Sequence, residues 1–168
     1  MSIQAKTDFY SALAGLEKLA GPLKTKLARS MAVAAGKEFR DEARRRAPIG
    51  EGSDMPGTLK ESIYLAYREG KTTERQVVYS VSWNSRLAPH GHLVEFGHWR
   101  INKLMPIGAG GLWVATKERL DSPKWVPAHP FLRPAMDAKR NAAAEAGIER
   151  GRVRLAELLS GKHTGEGE

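Results

Sequence analysis

Cysteine is absent from the 168 residues, so disulfides and thiolate metal sites are excluded and a reducing compartment fits. No window approaches the ~18 consecutive apolar residues that a membrane-spanning helix needs. The opening Met1-Ser2-Ile3-Gln4-Ala5-Lys6 lacks the apolar run of a secretory signal. The expectation is a protein made in the cytosol, with no membrane partner. Aromatics are scarce, with four each of Trp, Tyr and Phe. The core must therefore lean on Leu, Val, Ala and Met, and a modest core completed by neighbouring subunits is expected.

Catalytic signatures are missing as well. There is no Gly-x-Ser-x-Gly elbow, and neither Gly50-Glu51-Gly52 nor Gly108-Ala109-Gly110-Gly111 continues as a phosphate-cradling Gly-Lys-Ser/Thr motif. No carboxylate pair sits in an apolar setting that would tune an acid and a base apart. His90, His92 and His98 with Glu95 form a dense candidate for zinc. Their spacing differs from the helical His-Glu-x-x-His arrangement, and turn or interface histidines are the competing interpretation. No enzyme, cofactor or metal is expected.

Positive charge is in excess. Lys plus Arg number 27 against 19 Asp plus Glu, giving a net charge of +8 and a pI near 9.9. Such a balance favours a polyanionic partner such as nucleic acid. Arg40, Arg44, Arg45 and Arg46 are candidates for a DNA-facing surface through phosphate contacts. The alternative is a solvated helix face, since Glu38, Asp41 and Glu42 are interspersed. Lys139, Arg140, Arg150, Arg152 and Arg154 form a second basic group, mixed with Glu145 and Glu149.

Periodicity predicts an α+β fold with long N-terminal helices, a small antiparallel sheet and a long C-terminal helix. Phe9, Leu13, Leu16 and Leu19 mark a short amphipathic helix over residues 8–19, broken at Gly21-Pro22. Leu23, Leu27, Met31, Ala35, Phe39, Ala43 and Ala47 recur every four residues along one helical face, which Pro48 ends. Residues 49–57 read as a glycine-rich loop. Ile63, Leu65 and Tyr67, then Val77, Tyr79, Val81 and Trp83, alternate with period two and predict an antiparallel hairpin.

Residues 87–97 suggest a helical turn capped by Gly97. Residues 98–127 show the weakest pattern and read as a long loop or a short hairpin. A helix over 135–159 follows, with Pro134 in its first turn and Gly147 and Gly151 weakening its middle. One domain over 1–160 with a flexible polar tail at 161–168 is expected. Trp99, Trp113 and Trp125, in a stretch hard to bury locally, are candidate interface anchors.

Three segments, in order, resemble a known family. Arg44-Arg45-Arg46-Ala47-Pro48 with Gly57-Thr58-Leu59-Lys60-Glu61-Ser62-Ile63 is similar to its opening, an alanine-proline, a glycine and a serine-isoleucine entering a strand. His92-Leu93-Val94-Glu95-Phe96-Gly97 resembles its central element. Pro130-Phe131-Leu132-Arg133-Pro134-Ala135-Met136 resembles its closing signature. The family is that of tail-completion or head–tail joining (neck) proteins of long-tailed bacteriophages, the gene-ten-product family of an HK-type phage.

The resemblance implies a virion protein, assembled in the host bacterial cytoplasm, that forms a ring at the head–tail neck. A hexamer is implied, a closed ring built on a heterologous interface. Neighbouring neck, terminator or tail-tube proteins would be its partners, and genomic DNA would touch the lumen transiently. Glu95 and Arg133 become candidates for a buried or interfacial ion pair. Phe96, Phe131 and the three tryptophans join them as interface candidates. A tail terminator capping the tail tube, or a small basic nucleic-acid-binding module, are the alternative functions. The Trp99–Trp125 stretch is longer than the family pattern suggests, and docking onto a neighbouring ring is its expected role.

Overall fold

The four-residue apolar stripe becomes the spine of the molecule. The computed structural model describes residues 21–49, 57–107 and 112–159. The helix expected over 8–19, most of the glycine-rich loop and the polar tail lie outside the described residues. Helix α1 runs Gly21–Arg46, and Leu27, Met31, Ala35, Phe39 and Ala43 of its stripe are buried, as is Ala47 just beyond. Arg44, Arg45 and Arg46 fill its last turn, where cations meet the negative end of the helix dipole.

A short helix α2, Thr58–Ser62, leads directly into strand β1, Ile63–Tyr67. Strand β2, Tyr79–Trp83, pairs antiparallel with β1 in the register Ile63 to Trp83, Leu65 to Val81 and Tyr67 to Tyr79. That register puts the two alternating apolar sets on one face, as the period-two pattern predicts. Ile63 and Trp83 share a buried cluster with Ala43 and Ala47, so this face lies on α1. Two arginines fasten the contact. Arg44 donates twice to the Ile63 carbonyl, at 3.0 and 2.7 Å, and Arg29 donates to the Tyr67 hydroxyl at 2.9 Å while lying over its ring.

Helix α3, Gly91–Phe96, is a single short segment ended by Gly97, whose φ of 71° suits glycine. Strands β3, His98–Ile107, and β4, Leu112–Val126, then form a second two-stranded antiparallel sheet. The segment expected as a loop or a short hairpin is thus a long hairpin. Helix α4, Leu132–Leu159, closes the chain and carries Pro134 in its first turn. It runs uninterrupted through Gly147 and Gly151.

Helices α1 and α4 pack antiparallel along most of their length. Ala43 shares a cluster with Leu132 and Ala135, Glu38 meets Lys139, and Met31 lies against Gly151. Leu155 and Leu158 cover Leu27 and Met31 at the far end. Small side chains let the backbones approach, which is how a chain with few aromatics closes its core. Phe131, fully buried, meets Trp83 edge-to-face at 6.0 Å and joins the start of α4 to the β1–β2 sheet.

Candidate functional site

The second and third signature segments meet in space through one carboxylate. Glu95, only 2% exposed, accepts hydrogen bonds at Oε2 from the amides of Phe131 (2.8 Å) and Leu132 (3.0 Å), and at Oε1 from that of Arg133 (3.3 Å). These amides open α4, where no intrahelical acceptor exists for them and the dipole favours negative charge. Glu95 therefore caps α4 from a distance of 36 residues or more in sequence. A second strut, from the His129 amide to the Val94 carbonyl at 2.8 Å, binds the same two segments.

Within the chain Glu95 and Arg133 meet through the backbone and not as an ion pair. Arg133 reaches Glu95 through its backbone amide, while its guanidinium lies over the Phe96 ring at 4.7 Å. The helix terminus offers three convergent donors already in place, so the carboxylate is satisfied without the side chain. Glu95 and Phe131, proposed from sequence as interface residues, are buried within the chain itself and offer no surface. Phe96 and Arg133 remain at the surface, beside an open groove of about 600 Å³ lined also by Pro130, Pro134 and Asp137.

The β3–β4 hairpin projects from this junction. None of the buried core residues among those described belongs to residues 98–126. Trp99 and Trp125 stand directly opposite each other with ring centroids 5.3 Å apart, and are 62% and 50% exposed. Further out, Met105 has the parity of Trp99 and Val114 stands across from it, while Ile101, within a register shift, lines a groove with His98, Arg100, Asn102, Leu104, Ala115 and Val126. All three are exposed. Lys103, at the same parity and paired with Glu118 at 3.2 Å, separates the tryptophan pair from the outer apolar pair Met105 and Val114.

The opposite face mixes basic with apolar residues and holds a shallow groove lined by Leu104, Ala115, Val126 and Ile101. His98, Arg100, Asn102 and Leu104 occupy it on β3, across from Val126, Lys124, Arg119 and Ala115. Trp113, opposite Pro106, lies at its outer end and is exposed. Arg100 and Lys124 are a directly opposed pair of like charges. Neither they nor Arg119 make an ion pair or hydrogen bond within the described residues, and Arg100 Nε and His98 Nδ1 are buried without a partner. These cations are not among the residues the sequence singles out. Their signal, basic residues among strand-favouring ones, was present but lay in the segment of weakest periodicity.

The helix arginines singled out from sequence are largely answered inside the chain. Arg45 and Arg46 both reach the buried carboxylate of Glu42, each at 2.6 Å. The hydrogen bond from Arg45 is the main cause that holds the Glu42 carboxyl down to about 2, with Arg46 assisting and burial opposing. Arg40 meets Asp41 at 2.7 Å, and Arg44 is spent on the Ile63 carbonyl. On α4, Arg150 and Arg154 share Glu157, Arg152 meets Glu149, and Lys139 crosses to Glu38. Among the described residues no three His, Asp or Glu side chains are grouped to hold a metal, and Glu95 is engaged by α4.

A family model described as "Bacteriophage HK97-gp10, putative tail-component" matches residues 11–97, just over half of the 168. The match takes in α1, the β1–β2 sheet and α3 up to the Gly97 turn, and ends one residue before the hairpin. No curated protein matches, and no solved structure matches. No described helix is long and apolar enough to cross a membrane. With its first two signature segments inside the matched residues, this chain belongs to the HK97-gp10-like family of bacteriophage tail components.

Proposed function

We propose that the protein is a ring-forming subunit of the head–tail neck, acting in tail completion around the channel through which DNA passes. The observation that carries this reading is the apolar face of the β3–β4 hairpin. Trp99 and Trp125 are exposed side by side, with Met105 and Val114 exposed further out, on an arm that has no core of its own to bury them. Contiguous exposed apolar surface on a soluble subunit marks an association site, and large aromatics supply most of the binding energy at such sites.

An arm on one side and a body on the other suit a heterologous contact, which closes into a ring when the rotation between neighbours divides a full turn. A hexamer matches the sixfold tail. The exposed Phe96 and Arg133, beside the groove at the start of α4, supply a second surface for a neighbour or for a tail protein.

The test is mass determination by light scattering for the full chain and for Trp99→Ser/Trp125→Ser, each alone and mixed with the tail-tube and terminator proteins of the same phage. A closed ring, alone or with those partners, is expected for the parent chain. The double variant should keep its circular dichroism and remain a monomer. A parent chain that stays monomeric in every mixture would refute the reading.

A further inference from the structure

The basic face of the hairpin has no partner in the chain, and the physical chemistry of its arrangement calls for one. Like charges directly opposed across two strands repel, and pairs of this kind are avoided unless something neutralises them. Arg100 and Lys124 are such a pair, and Arg119 stands next along the same face, opposite Asn102. The hairpin carries five basic residues against two acidic ones over residues 98–126. Of the two carboxylates, Glu118 is held by Lys103 at 3.2 Å, and Asp121 makes no ion pair.

The contrast with the helices decides what this charge is for. On α1 and α4 the clustered arginines are matched by carboxylates or a carbonyl, so their positive field is largely spent. On the hairpin, cations are presented along a ribbon, and the Nε of Arg100 is turned inward with no acceptor. Three cations grouped on one stretch of an extended ribbon suit a repeating anion better than a single one. A two-stranded β ribbon also has the width to enter the major groove of a DNA duplex.

We infer that this face of the β3–β4 hairpin binds the phosphate backbone of double-stranded DNA, with Arg100, Arg119 and Lys124 making the contacts. The binding is independent of base sequence, because it uses charge without a donor and acceptor code. The few contacts make it weak and salt-sensitive, which suits a surface past which DNA must move. The inference rests on the neck reading for the presence of DNA in the particle, but the contact is a property of the single chain and is testable on it.

The experiment titrates a short mixed-sequence duplex with the full chain, following fluorescence anisotropy over a series of salt concentrations. Two variants with the same change in net charge are compared. Arg119→Gln/Lys124→Gln removes hairpin cations, and Arg140→Gln/Arg152→Gln removes exposed arginines of α4. The slope of log affinity against log salt should become shallower by about 2 for the hairpin variant, a difference of roughly tenfold in affinity over an about fourfold change in salt. The α4 variant should follow the parent curve. Absence of binding at low salt, an unchanged slope for the hairpin variant, or equal effects of the two variants would overturn the inference. The hairpin variant retains both tryptophans of the apolar face, so failure of ring assembly would appear in the light-scattering masses and failure of DNA contact only in these curves.

Discussion

Replacing Glu95 by alanine should be among the most damaging single changes available in this chain, although the residue touches neither another charged side chain nor the surface. Its carboxylate is the acceptor for three amides at the start of a 28-residue helix, at 2.8, 3.0 and 3.3 Å. A buried donor left without an acceptor costs about 1–3 kcal/mol. The Arg133 amide is only partly buried and its bond the longest, and water can enter a space of carboxylate size, so the three do not add in full. The loss of a negative charge at the positive end of the helix dipole adds up to ~1–2 kcal/mol in such a partly buried setting. A destabilisation of roughly 3–5 kcal/mol follows. For a chain of this size it corresponds to a fall in melting temperature of about 6–20 °C. Glu95→Gln keeps one carbonyl oxygen for Phe131 and Leu132 but turns an amide donor towards Arg133, and should lose about half as much. Urea denaturation followed by far-ultraviolet circular dichroism measures both. An alanine variant within ~1 kcal/mol of the parent would refute the capping argument.

Gly91→Ala should destabilise the fold by about 1–3 kcal/mol in the same assay, because a Cβ there would collide with the Trp83 indole, 2.7 Å from Cδ1, and Trp83 is itself held against Phe131. Acid should weaken the protein through Glu42, whose pKa falls from the ordinary 4.5 to about 2 on folding. Its contribution is complete above the unfolded value and is lost as pH drops from about 4.5 towards 2, so urea midpoints should decline over that window more steeply for the parent than for Glu42→Gln. Replacing residues 99–125 by a short glycine turn joining His98 to Val126, which already face each other across the strands, should leave the helical core folded and abolish ring formation. Loss of helical circular dichroism in that deletion would show the arm to be part of the core.

The elements legible in the sequence are those with one buried face. The four-residue stripe of α1 names its own buried residues, and the alternation of Ile63, Leu65 and Tyr67 with Tyr79, Val81 and Trp83 fixes both the pairing and the side turned to α1. The β3–β4 hairpin has no such signal. No described residue of either face is buried, so burial never selects one parity. Its register also slips twice, with β4 advancing from Lys124 to Arg119 while β3 advances only from Arg100 to Asn102. An irregularity of that size breaks any period-two pattern on β4. The role of Glu95 was half legible. Its place in a signature segment marked it and pointed to Arg133, but the partner atom is a backbone amide, which every residue but proline carries and no sequence pattern singles out. The pairing of Glu42 with Arg45 and Arg46 was available from their three- and four-residue spacing on a helix.

The placement of the hairpin explains how a framework can carry an arm with independent chemistry. Its two ends are fixed by the Glu95 cap and the bond from His129 to Val94, which lie outside the arm, and by the Gly97 turn, whose missing Cβ leaves room for the Trp125 ring, Val126 and Ala128. The direction in which β3 leaves and β4 returns is therefore set by α3 and α4. Between those points the arm is free to vary in length and surface without disturbing the buried clusters. In this chain it carries Trp99 and Trp125 on one side, and on the other unmatched cations with Trp113 at the outer end. An apolar aromatic surface and a row of cations do not suit the same partner, since burying the cations against an apolar neighbour would leave charges desolvated and unpaired. Under the proposed function two partners on opposite sides would resolve the conflict, the arm of each subunit lying between its neighbour and the duplex.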